Sequence, residues 1–198
     1  MAGPTRELVE HYVRFFEELD DIPWVVGESL FWTVVRPAGV DAVLSLIGGD
    51  PGALESCRPD EVAWEDDRVF VEQRGDAVLL VGPSDVGLEE LDRLRRLSRD
   101  GTVDQVFWAI NNYNLLRHLA GGELVTELNT LWPAERSGAD PDALNEHLGA
   151  LHELDAQGDE RGADLDWPTA MATMESITGF RIDVDWFRRP HSWARIKV

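Results

Sequence analysis

Residues 103–133 read VDQVFWAINNYNLLRHLAGGELVTELNTLWP. Positions 103–110 are dense in β-branched and aromatic side chains, with Val103, Val106, Phe107, Trp108 and Ile110, a composition that favours a strand. Asn111-Asn112 follows, and asparagine tolerates the left-handed backbone of a tight hairpin turn. A second strand over 113–120 runs into Gly121-Gly122, a strong hairpin signal. The third, 123–128, alternates Leu124, Thr126 and Leu128 against Glu123, Val125 and Glu127, the pattern of one buried and one more exposed face. Pro133 is expected to stop further pairing. An antiparallel meander with a buried face needs helices or a second sheet over it.

The flanking sequence supplies that cover. Thr5 caps a helix over 5–19 whose stripe is Leu8, Tyr12, Phe15, Phe16 and Leu19. A strand follows at 29–35, then a helix at 40–47 that Gly48-Gly49 terminates. Residues 50–62 read as loop, and 69–73 and 77–82 as a hairpin about Gly75-Asp76. Pro83-Ser84-Asp85 opens a helix reaching Ser98, with Leu88, Leu91, Leu94 and Leu97 inward and acids preceding bases, as the helix dipole favours. After a polar loop at 134–139, Asp140-Pro141 is a good helix start, with Leu144, Leu148 and Leu151 running to Leu154. Residues 155–166 are glycine-rich and acidic and read as an exposed loop. A last helix spans 167–178 with Gly179 at its end. The fold expected is α+β: a mostly antiparallel sheet of about six strands with helices packed on it. Charge reverses sharply at Arg188, so the expected division is one α+β domain over 1–187 and a basic C-terminal tail over 188–198.

The chain has 198 residues and a net charge of −20, with seventeen arginines among its eighteen cationic residues. That charge argues against phosphate-backbone binding and against anionic lipid. It permits long-range steering toward a basic partner. A single cysteine, Cys57, excludes an internal disulfide and fits a reducing cytosol. The N-terminal segment lacks a basic region followed by an apolar core, and the longest uncharged run, 105–116, is too short to span a bilayer. The expected location is the cytoplasm.

Neither a phosphate-binding glycine loop nor a nucleophile elbow is present. His147 and His152 are five apart and diverge on a helix, a poor metal pair. Adjacent acids are what an acidic composition produces, and no calcium-loop pattern occurs. No motif therefore supports an enzyme, and no cofactor or metal is implied. Of eight tryptophans, Trp64 and Trp193 lie in polar contexts and read as surface anchors, with the rest in the core.

The quoted meander, together with SLFWTVVRPAGVDAVLSLIG before it and SGADPDAL and ITGFRIDVDWF after it, resembles an uncharacterised domain-of-unknown-function family common in actinobacteria. The matching positions are Trp108 with Asn111, Leu124-Val125-Thr126, and Asp140-Pro141 with Leu144; Ala139 interrupts the family's serine-aspartate pair. The resemblance implies a fold and no activity, so it carries over no functional residue.

Two functional readings stand. One is an acidic interaction protein, specifically an immunity or inhibitor protein blocking a basic partner such as a nuclease toxin. Its contacts would be Trp64, Glu65, Asp66 and Asp67, or Asp155, Asp159, Glu160 and Asp164. The other is a small-molecule-binding protein or enzyme whose pocket, between helices and meander, is lined by Trp108, Asn112, Tyr113 and His118. A nucleic-acid mimic is a third, and the basic tail could instead bridge two subunits of a homodimer.

Overall fold

In the computed structural model, residues 3–19, 29–61, 68–83, 87–88, 90–109, 113–157 and 165–196 are described. The meander forms as read: β5 (Thr102–Ala109), β6 (Leu115–Ala120) and β7 (Glu123–Asn129) pair antiparallel in sequence. The Asn111-Asn112 turn lies outside the described residues. Gly121 and Gly122 both take positive φ, which the glycine pair permits.

The three strands are one end of a nine-stranded sheet in the order β2-β9-β3-β4-β1-β5-β6-β7-β8, every pair antiparallel. β1 (Ser29–Arg36) lies beside β5, and the hairpin β3 (Arg68–Arg74) and β4 (Ala77–Gly82) turns at Gly75 as expected. The sheet exceeds the six expected strands by three, each hidden for a physical reason. β2 (Glu55–Cys57) is three residues long inside a stretch read as loop. β8 (Trp132–Ser137) contains the proline expected to stop pairing. It is an edge strand joined to β7 through a register irregularity, the place where a missing N–H is tolerated.

The third is β9 (His191–Arg195), within the segment read from its charge as a tail. It pairs on one side with β2 and on the other with β3, so it lies inside the sheet. Trp193, read as a surface anchor, is buried there, with the Arg68 guanidinium 4.4 Å over its ring.

Helices cover both faces. On one side, α2 (Val40–Ile47) and α3 (Leu91–Leu97) bury Val43, Leu44, Ile47, Leu94 and Leu97 against Phe31, Val35, Leu80 and Phe107. On the other, α1 (Arg6–Glu18), α4 (Gly149–Asp155), α5 (Asp166–Thr178) and α6 (Val184–Arg188) pack on Trp32, Val106, Trp108 and Leu116. β1 is therefore buried along nearly its whole length, the continuous apolar run of a strand covered on both sides. α1 is capped by Thr5 and sends Tyr12 and Phe15 into the core.

Two helices are shorter than their sequence suggests. α3 begins at Leu91; positions 84–86 and 89 lie outside the described residues. Asp140-Pro141 does not start a helix. The Asp140 N–H donates to the Val125 carbonyl and the Ala139 N–H to that of Leu124, tying this segment to β7. A 3-10 turn at Asn145–His147 then precedes α4.

Candidate functional site: an aromatic sheet end and a buried Asp–His pair

The structure separates Trp108, Tyr113 and His118, three of the four residues expected to line one pocket. Trp108 is core: its ring stacks on Trp167 at 5.5 Å, and Phe16 meets it edge-on at 5.7 Å. Tyr113 lies over Phe107, whose side chain belongs to the core beneath α2 and α3, the opposite face from Trp108. Asn112 lies outside the described residues. His118 shares the Trp108 face but sits four residues along β5's register from it, opposite Asp104. Of the expected partner contacts, only Asp155 is described, half-buried at the end of α4; Trp64, Glu65, Asp66, Asp67, Asp159, Glu160 and Asp164 lie outside the described residues.

What the fold does assemble at His118 is a charged cluster. The Asp104 carboxylate, only 5% exposed, holds His118 Nδ1 at 2.7 Å and lies 3.7 Å from the Arg36 guanidinium. Arg36 also donates to the Thr178 carbonyl at the end of α5 and rests on the Phe180 ring. The Asp104 contact engages Nδ1 and so orients the His118 ring. Nearby, His147 Nδ1 is 2.9 Å from Ser176 Oγ, and burial lowers the His147 pKa. Among the described residues no group of His, Cys, Asp and Glu is arranged to hold a metal.

A second polar row crosses the other face, in register through β1, β5, β6 and β7: Thr33, Gln105, Arg117, Glu127. Gln105 Nε2 donates to Thr33 Oγ1 and to the Leu88 carbonyl, and Arg117 Nε donates to Glu127 at 2.6 Å. These bonds fix register, because a one-residue slip would carry every member to the wrong face.

The surface feature that sequence reasoning missed is Trp132. It is 45% exposed, and Tyr113 is 46% exposed. Both sit at the same end of the sheet, Tyr113 just before β6 and Trp132 at the start of β8, where the Thr130 N–H donates to the Asn114 carbonyl at 2.9 Å. Beside Trp132, a depression of about 360 Å³ between β6, β7 and β8 is lined by Leu115, Leu128, Glu127 and Glu135. Arg136, on its rim, is engaged by Asp142 and Asn145. A separate cleft of about 540 Å³ runs between α1 and α4, with Val9, Val13 and Leu154 on its walls and Glu10 and Glu153 along it.

The model of a family of unknown function, DUF6461, matches residues 26–191. The chain belongs to that family. The match runs from before β1 to the first residue of β9 and leaves α1 outside it. No curated protein and no solved structure matches the chain. Asp104, His118, Arg36, Tyr113 and Trp132 all fall within the span matched to DUF6461.

Elsewhere, positive charge is absorbed locally. Arg58, Arg74, Arg95, Arg136 and Arg181 each pair with a carboxylate of the same chain, and Arg181 grips Glu175 with two nitrogens. Glu175 also accepts from the Tyr12 hydroxyl at 2.8 Å, and burial together with that carboxylate raises the Tyr12 pKa. No helix among the described residues is long and apolar enough to cross a membrane.

Proposed function

We propose that this DUF6461 protein is an acidic interaction protein of the cytoplasm, of the immunity or inhibitor type, that binds and blocks a basic protein such as a toxin. The observation that supports it is the charge: −20 overall, on a chain in which Arg58, Arg74, Arg95, Arg136 and Arg181 are already paired with its own carboxylates. Such a surface attracts a cationic partner over distances comparable to the Debye length, about 10 Å at 0.1 M salt. Occlusion of the partner's working face then needs no catalytic group.

The test is capture from lysate of the native host on immobilised protein, at about 50 mM and about 300 mM salt. The expected result is one basic protein, retained stoichiometrically at low salt, released at higher salt, and inhibited in its own activity by the free DUF6461 protein. Retention of no basic protein, or of one whose activity is untouched, contradicts the reading.

The second reading, a small-molecule-binding protein or enzyme, is favoured by one observation, the orientation of His118 by Asp104. An imidazole held in one orientation by a carboxylate is an arrangement that a general base uses. Thermal-shift screening against small metabolites tests it. A ligand that stabilises the wild type but not His118→Gln supports this reading, and a screen without any such ligand removes it.

A further inference from the structure

We infer that the basic partner docks on the end of the sheet that carries Tyr113 and Trp132, an inference that rests on the interaction reading and names its surface. Three large apolar side chains among the described residues are exposed, Leu46, Tyr113 and Trp132. Two of them are aromatic and share this end, where the Thr130–Asn114 hydrogen bond ties the segment before β8 to the one before β6. Both keep a large open area. Tyr113 covers Phe107 with one ring edge yet leaves nearly half its area open, and Trp132 begins an edge strand that needs no aromatic residue there. Tryptophan and tyrosine are the residue types that carry most binding energy at interfaces, because each removes a large rigid area from water at small entropic cost.

The chemistry beside the aromatics selects the occupant. The depression, which reaches Trp132 through its register partner Asn129, is lined by Leu115, Leu128, Asn129 and Ser137, by the carboxylates of Glu127 and Glu135, and by Arg136, whose guanidinium is engaged by Asp142 and Asn145. Glu127 is held by Arg117, which is itself only 5% exposed and so directs its charge inward. Glu135 is exposed. A basic partner fits here: an arginine or lysine head meets the exposed Glu135 carboxylate, and apolar surface beside it covers the exposed ring of Trp132. A neutral or acidic protein gains nothing from that carboxylate and meets the repulsion of the whole molecule. The partner is therefore a basic protein presenting Arg or Lys beside an apolar surface.

The experiment compares wild type, Trp132→Ala, Tyr113→Ala, Glu135→Gln and the cleft variant Glu10→Gln/Glu153→Gln in binding the captured basic protein. Thermal melts first establish that each variant is folded. Mass-spectrometric footprinting of tryptophan and tyrosine oxidation, with and without that protein, gives a readout independent of mutation. Loss of about 30-fold in affinity for Trp132→Ala, a smaller loss for Tyr113→Ala, and a salt-sensitive loss for Glu135→Gln are expected. The cleft variant should bind as wild type, and the peptides bearing Tyr113 and Trp132 should be protected in the complex. Wild-type affinity in the three sheet-end variants, or unchanged oxidation of Trp132, overturns this surface while leaving the interaction reading intact. Failure of the wild type to retain any basic protein overturns both.

Discussion

Trp186 and Trp108 are both fully buried indoles in the same core, but their N–H groups fare differently. Trp186 Nε1 donates to Glu72 at 2.7 Å, whereas Trp108 Nε1 has no acceptor among the described residues. Burial raises the Glu72 pKa, and hydrogen bonds from Arg74 and Trp186 more than offset that, leaving it below the usual carboxylate range. Trp186→Phe should therefore cost more than Trp108→Phe, by about 1.5–3 kcal/mol for the charge-assisted bond, measured by urea denaturation. Equal costs would contradict the account. His191 lies stacked on Trp186 at 4.2 Å, and burial is the main cause of its lowered pKa. The folded state thus takes up a proton at His191 less readily than the unfolded chain. Its contribution to stability is complete above about pH 6.5 and is lost as pH falls toward the lowered folded value. His191→Phe, which keeps the stack and cannot ionise, should flatten the stability–pH curve below pH 6.5. A curve of unchanged slope would contradict that sign.

At the scale of elements, β9 and the Gly138 crossing carry the sharpest expectations. β9 is paired on both sides, so removal of residues 188–198 strips an inner strand and exposes both neighbours. The truncated chain should lose cooperative thermal unfolding; a native-like melt would show that the strand is dispensable. Gly138 has φ +118, and a Cβ there would lie 2.3 Å from the Val125 carbonyl oxygen. Gly138→Ala should destabilise by several kcal/mol through displacement of the segment tied to β7, measured by denaturant midpoint. Legibility in the sequence follows the same physics. β1, α2 and the β3–β4 hairpin were plain because apolar period, caps and turn glycines agreed locally. β9 was not, because its cations suggested solvent, while Arg68 and Arg195 instead lie over the buried Trp193 ring. β8 hid behind Pro133, since edge position is a property of the assembled sheet and not of a window of residues. The Asp140–Leu154 helix was over-read because Asp-Pro signals a start, while tertiary hydrogen bonds to β7 took the same backbone groups.

For the whole molecule, charge is the property the sequence states most plainly, while the placement of exposed aromatics is the one it conceals. Trp132 reads as core from its neighbours and becomes exposed only because β8 ends the sheet; Trp193 reads as surface and is buried because β9 does not. Of the pocket read from Trp108, Asn112, Tyr113 and His118, strand alternation sends Trp108 and the Tyr113 packing partner to opposite faces, and Asn112 lies outside the described residues. The pairing of His118 with Asp104 is visible only from the β5–β6 register, which no window of sequence states. The central claim is that the molecule's field brings a cationic protein to it. The most direct measurement is the association rate constant for the captured basic protein across ionic strength, from about 20 mM to about 200 mM. Electrostatic steering predicts a fall of about tenfold or more over that range, with a much smaller change in dissociation rate. An association rate indifferent to salt would contradict the account.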